Sequence, residues 1–257
     1  MLVAITREVS PAIGDCELPP LERSSIDGEV ARDQHDAYTT ALAGLGCRIE
    51  QLPAEPDLPD SVFVEDVAVV LDEVAIITRP GAESRRGERP TIEQALLPYR
   101  PLEHIQAPAT IDGGDVLVAG REVWIGLTSR SEHHAIRQFH RAVTRYGYRV
   151  RSAEVTGCLH LKSAVTAVDA ETLLVDPTRV DVDQFSGRRC LTIDPSEPGA
   201  ANVVRVSDAV IAAAAYPRTA QCLVDTGYEV HTVDASELAR AEGARTCCSL
   251  LFEDHGT

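Results

Sequence analysis

The sequence predicts an α/β fold built by repeating one unit around a ring, and three observations predict it. An apolar run, a short polar turn, a second apolar run and a basic or proline-containing stop occur four times in order. The repeats recur about every fifty residues, a period of radial or stacked arrays. The two ends of the chain, residues 2–6 and 247–252, are themselves apolar and strand-like, so they pair as a fifth hairpin that closes the ring. Closure removes the free sheet edges that an open array would expose. The competing architecture is a doubly wound α/β sheet.

Each hairpin is justified by its turn. Residues 62–70 and 74–78 flank Leu71-Asp72-Glu73 and stop at Arg79-Pro80; residues 116–119 and 123–127 flank Gly120-Arg121-Glu122. Residues 164–168 and 172–175 flank Asp169-Ala170-Glu171, and residues 202–206 and 209–215 flank Ser207-Asp208. Short polar turns between apolar runs are hairpin chemistry. Between them, residues 28–45 place Val30, Ala31, Tyr38, Ala41 and Leu42 at helical spacing and end at Gly46, a residue suited to a left-handed cap. Residues 131–146 carry Ala135, Ile136, Phe139, Ala142 and Val143, with Ser131 as the expected N-cap. A shorter helix is expected at 219–226, before Gly227, and further strands at 47–52, 148–152 and 228–233. The unit is hairpin, helix, strand, within one domain over residues 1–257.

Composition narrows the function classes. The 257 residues, 44% of them hydrophobic, suffice for a large core. A net charge of −16 disfavours nucleic acid and anionic membrane surfaces as partners, because both require basic footprints. The same acidic field favours a small cation and also keeps a protein dissolved. No stretch approaches the length of a membrane span, and the N-terminus lacks the basic start of a signal peptide. Seven cysteines, at 16, 47, 158, 190, 222, 247 and 248, are odd in number, scattered and without C-x-x-C spacing. They read as reduced thiols of a cytoplasmic protein, against a disulfide framework or structural zinc.

The chemistry-bearing residues cluster at the starts of the first strands of the repeats: Phe63-Val64-Glu65-Asp66, Asp112-Gly113-Gly114-Asp115, His160-Leu161-Lys162-Ser163, Ala201-Asn202 and Thr246-Cys247-Cys248. A closed ring brings these positions to one centre. Singly they are bland. Asp-Gly-Gly-Asp alone reads as a tight turn with glycines at positive φ, and a free cysteine as a small buried hydrophobe. Two adjacent cysteines on a strand point to opposite faces, so one serves a site while the other packs. Together the set supplies a thiol, an imidazole and several carboxylates, the minimum for nucleophilic chemistry with general acid–base help.

The strings FVEDVAVV, RPGAESRR, IDGGDVL, LHLKS and TCCSLL, in this order, resemble the dimethylarginine dimethylaminohydrolases of the guanidine-modifying superfamily. The resemblance runs from the N-terminal strand to Leu251. It implies a five-bladed α/β propeller of ββαβ modules with pseudo-fivefold symmetry, closed by the N- and C-terminal strands. It implies hydrolysis of Nω-methylated L-arginines to citrulline and a methylamine, with Cys247 as nucleophile and Cys248 as its buried neighbour. His160 then falls where the family has its general acid/base, Asp112 where a carboxylate orients that histidine, and Asp66 where the guanidinium is gripped. Glu65 and Asp60 fall where the α-amino group is held, and Arg85 and Arg130 where the α-carboxylate is clamped. Arg86 competes with Arg85 for that role. Leu18 matches a residue of a loop closing over the ligand, within a lid expected in residues 11–25, and Ala241 a backbone contact before the nucleophile. No metal or organic cofactor is implied, and the partner is a small cationic amino acid bound by a monomer or homodimer. Two other readings compete: an arginine deiminase acting on unmethylated arginine, whose usual helical insertion this chain is too short to contain, and a non-catalytic guanidine- or partner-binding propeller.

Overall fold

A computed structural model describes residues 1–17 and 25–256. The chain passes first through β1 (Leu2–Arg7), α1 (Gly28–Gly44) and β2 (Arg48–Leu52), then β3 (Ala68–Val70), β4 (Ala75–Ile77), α2 (Arg89–Leu96) and β5 (Leu102–His104). There follow β6 (Val116–Ala119), β7 (Glu122–Leu127), α3 (His133–Val143) and β8 (Arg149–Glu154), then β9 (Val165–Ala167), β10 (Thr172–Val175) and β11 (Arg189–Thr192). The last elements are β12 (Val204–Val206), β13 (Ala209–Ala213), α4 (Pro217–Thr226), β14 (Glu229–Val233), α5 (Ser236–Arg240) and β15 (Leu250–Glu253).

These strands form five three-stranded sheets, each an antiparallel hairpin with a third strand added in parallel after a crossover. The fifth sheet has the order β15-β1-β2, with Leu2 opposite Glu253 and Ile5 opposite Leu250, so the chain's own ends close the ring. The fold is the five-bladed α/β propeller, and the crossovers are helical except between β10 and β11, where a 3-10 turn at Val182–Phe185 replaces the helix.

The helices form because each has an apolar stripe to bury and residues that end it. Helix α1 buries Ala31, Tyr38 and Leu42, and Asp27 caps it by accepting the N–H groups of Glu29 and Val30. Helix α4 starts with Pro217 in its first turn and stops at Gly227, whose φ of 105° is the left-handed cap conformation. Ser131 does not cap α3. Glu132 occupies the N-cap position without a side-chain bond, and the Ser131 hydroxyl is drawn inward to Asp115.

Several strands start later than their apolar runs suggest. Val64–Val67, Gly113–Asp115, Leu161–Ser163 and Thr246–Cys248 are single 3-10 turns that precede β3, β6, β9 and β15. The turns pack against one another around the axis. At the narrow centre of a ring the strands converge, and a tight turn with eclipsed side chains fits where a pleated strand would not. The predicted strand alternation at Cys247 and Cys248 is therefore corrected: both lie on a turn, and β15 begins only at Leu250.

Candidate active site

The central turns set the site. Asp66, Asp112, His160 and Cys247 come from four different blades and line one pocket with Asp60, Arg85, Arg130 and Ala241. Glu17, Phe63, Leu159, Glu242 and Gly243 complete its wall. All four of the turn residues are buried.

Glycine makes this convergence possible by close approach rather than by positive φ. Neither Gly113 nor Gly114 has a positive φ, which corrects the expected turn geometry. A Cβ on Gly114 would lie 2.6 Å from His160 Nδ1 and 2.7 Å from Asp66 Oδ1; one on Gly113 would lie 2.0 Å from the Glu65 carbonyl oxygen. Only hydrogen fits in that space.

His160 Nε2 lies 3.1 Å from Asp112 Oδ2, while Nδ1 lies 3.8 Å from Asp66 Oδ1. Asp112 is itself held at Oδ1 by the Gly81 N–H at 2.8 Å, and its own N–H donates to Ser131 Oγ at 3.1 Å. Burial alone would lower the pKa of His160, but the Asp66 charge, the Asp112 hydrogen bond and the Asp115 charge push it up to about 9. Burial would raise Asp66; His160 and Arg85 outweigh it and hold that carboxyl below its ordinary value. Cys247 moves the other way, its pKa lifted well above the ordinary thiol value by burial and by the charges of Asp66 and Glu65. Below about pH 9 these shifts favour an imidazolium and a protonated thiol within the same pocket.

Arg85 is fully engaged. Its guanidinium pairs with Asp66, forms a fork on Glu88 at 2.9 and 2.7 Å, and donates to the carbonyls of Asp60 and Phe63 at 3.2 and 3.0 Å. Arg86 instead faces outward, toward Glu83 and the Pro80 carbonyl, and does not line the pocket. Arg130 reaches the pocket with no ion-pair partner among the described residues. Asp60 accepts the Glu17 N–H at 3.0 Å, and burial, countered by Arg85, raises its pKa.

Glu65 is not brought to this pocket. Its carboxylate lies 2.5 Å from Lys162 Nζ, and both side chains line a separate cavity with Thr166, Thr246 and Ser249. Neighbouring residues on a 3-10 turn are about 120° apart, so residues 65 and 66 point to different sides. Cys248 likewise leaves the pocket and donates its thiol to the Ala244 carbonyl at 3.5 Å. Leu18 lies outside the described residues, as do residues 19–24 of the expected lid.

Ligand atoms of Asp66, Asp112 and His160 lie within 4.8 Å of one another, close enough to share an ion. The carboxylate atoms facing the imidazole are already paired, Asp66 Oδ1 with the Gly114 N–H at 3.0 Å and Asp112 Oδ2 with His160. The set is satisfied by the proton on the imidazole.

The sequence matches the family described as "N,N dimethylarginine dimethylhydrolase, eukaryotic" over residues 21–189. It is 38% identical to the N(G),N(G)-dimethylarginine dimethylaminohydrolase of Streptomyces coelicolor over 98% of this chain and 97% of that protein. The chain belongs to the dimethylarginine dimethylaminohydrolase family. The fold agrees closely with a Pseudomonas aeruginosa member solved as a cysteine-to-serine mutant complexed with citrulline, with a TM-score of 0.92 and 34% identity over 97% of this chain and 98% of that one. It also superimposes, with a TM-score of 0.93 and 34% identity over 98% and 100% of the two chains, on a family member whose histidine-to-glycine mutant forms an adduct with S-methyl-L-thiocitrulline.

Against this family background, sequence reading missed Glu88 as part of the site's frame and placed Asp115 among the central acids without a role. Glu88 had a signal: it follows Arg85 by three residues, the spacing at which helical side chains meet. Asp115 had a weaker one, as the second acid of Asp-Gly-Gly-Asp.

Proposed function

We propose that the chain hydrolyses Nω-methylated L-arginines to L-citrulline and dimethylamine or methylamine, with residues 1–257 acting as one catalytic unit. The observation that supports this reading is the acidic pocket that Cys247, His160, Asp66 and Asp112 line together. Family relatives crystallised with citrulline and with a thiocitrulline adduct support the same substrate class.

A guanidinium is a resonance-stabilised cation and a poor electrophile, so it must be fixed before sulfur can approach its central carbon. Asp66 holds the cation, Asp60 the α-amino group and Arg130 the α-carboxylate, and the Ala241 backbone completes the wall; Arg85, committed to Asp66 and Glu88, reaches the α-carboxylate only by exchanging one of those partners, and Glu65 is left out. The arriving cation adds positive charge beside Cys247 and offsets the Asp66 and Glu65 charges that hold its pKa up, so the thiol releases its proton to solvent. Thiolate attack forms an S–C bond and a tetrahedral adduct. His160 Nδ1, too far from Asp66 for a hydrogen bond, is free to protonate the methylated nitrogen, and the C–N bond breaks with loss of the amine. The covalent S-alkylthiouronium remains. Neutral His160 then takes a proton from water, the oxygen attacks the same carbon, the C–S bond breaks with its electron pair on sulfur, and the remaining hydroxyl proton passes to Cys247 as citrulline leaves. Asp112 keeps the ring oriented and favours its protonated form. The seven free thiols favour a reducing, cytoplasmic setting.

Product analysis tests this. Purified protein given asymmetric dimethylarginine should release dimethylamine and citrulline; faster ammonia release from unmethylated arginine would establish the deiminase alternative instead.

A further inference from the structure

Asp115 is completely buried and does not line the substrate pocket. Its Oδ1 accepts the Leu161 N–H at 2.9 Å, and its Oδ2 accepts the hydroxyls of Thr128 at 2.7 Å and Ser131 at 2.5 Å. Each donor is one step from a pocket residue. Leu161 directly follows His160. Ser131 Oγ accepts the N–H of Asp112 at 3.1 Å, and Thr128 Oγ1 accepts the N–H of Arg130 at 3.1 Å. The packing leaves no slack: a Cβ on Gly126 would lie 2.9 Å from Asp115 Oδ1 and 2.8 Å from Leu161 Cβ.

We propose that Asp115 is a positioning residue that fixes His160, Asp112 and Arg130 in one mutual register and supplies standing negative charge to the imidazole, which deepens the hydrolase reading and rests on it. Three donors converge on this side chain, and a carboxylate offers only acceptors, so an amide would have to turn one bond into a donor–donor contact or reorient both hydroxyls. The position also joins two blades, since Asp115 and its hydroxyl donors belong to the blade of β6 to β8 whereas Leu161 leads into β9. No direct contact with substrate is required.

The groups facing His160 are Asp66 from the turn before β3, Asp112 and Asp115 from the turn before β6, and Cys247 from the turn before β15, with Arg85 behind Asp66. Removing the Asp115 charge removes one of three anions that favour the imidazolium, so the midpoint of His160 must fall. A purely structural acid far from the ring would leave that midpoint in place.

The test is Asp115→Asn, read two ways. In the ligand-free protein, the His160 ring resonance, assigned by its loss in His160→Gln, should titrate at a lower pH than in the parent. With asymmetric dimethylarginine, kcat/KM should fall on the order of tenfold, as expected when reacting groups lose their mutual placement. Parental behaviour in either readout of a folded variant overturns the proposal. If the parent itself does not turn over methylarginines, the functional reading fails and the titration alone decides the role of Asp115. If circular dichroism shows that Asp115→Asn does not fold, Ser131→Ala takes its place: a severalfold fall in kcat supports the register, and a parental kcat overturns it.

Discussion

Two cavities flank the central turns of the propeller, and adjacent residues divide between them. Asp66 and Cys247 line one; Glu65 and Thr246, their immediate neighbours, line the other. In the second, Glu65 is matched one to one by Lys162, and Asn202 braces the same wall by bonding the Lys162 carbonyl and the Thr246 hydroxyl at 2.9 and 3.0 Å. In the first, among the described residues, Glu17, Asp60, Asp66, Asp112 and Glu242 outnumber Arg85 and Arg130. The difference teaches where the chemistry lies. A buried acid with its own cation is structural; an excess of acids stores a proton on His160, keeps Cys247 protonated and leaves room for an incoming cation.

The largest test of this contrast is His160. His160→Gln should lower kcat by a factor on the order of 10³, the range for losing a general acid–base group. In the parent, the histidine is charged below its midpoint of about 9 and loses the proton as pH rises through that value. The alkaline limb of kcat/KM should therefore fall near pH 9, and a limb near the ordinary histidine value would place the imidazole outside the acid cluster. The same sign applies to stability. Because the folded midpoint is raised, the contribution of His160 is present in full below about 6.5, its unfolded value, and is lost as pH rises through about 9.

A smaller effect separates the paired acids. Asp66→Asn should raise KM for asymmetric dimethylarginine by at least about tenfold relative to Glu65→Gln, because a charged hydrogen bond contributes roughly 1.5–3 kcal/mol. Equal effects would restore Glu65 to the substrate and erase the distinction between the cavities.

Much of the ring was legible because its evidence is periodic. The hairpin of β6 and β7 is legible to within a residue, since a short apolar run ending at Gly120 admits few other pairings. The three-residue strand β5 and the third strand β11 carry too few apolar side chains to stand out. Residue types at the site were legible, but their directions were not. Glu65 and Asp66 look equivalent in sequence, and only the 3-10 turn sends one to Lys162 and the other to His160. Ser131 has the chemistry of a helix cap, yet the three-dimensional neighbourhood of Asp115 claims its hydroxyl.

Acid quench of the protein during turnover of asymmetric dimethylarginine, followed by mass measurement of the cysteine-containing peptides, tests the central claim most directly. Cys247 and Cys248 share a peptide, so fragmentation must place the label. The account predicts a transient added mass on Cys247, equal to the substrate less dimethylamine, and none on Cys248. Full turnover without that adduct, or the adduct on another cysteine, would contradict it.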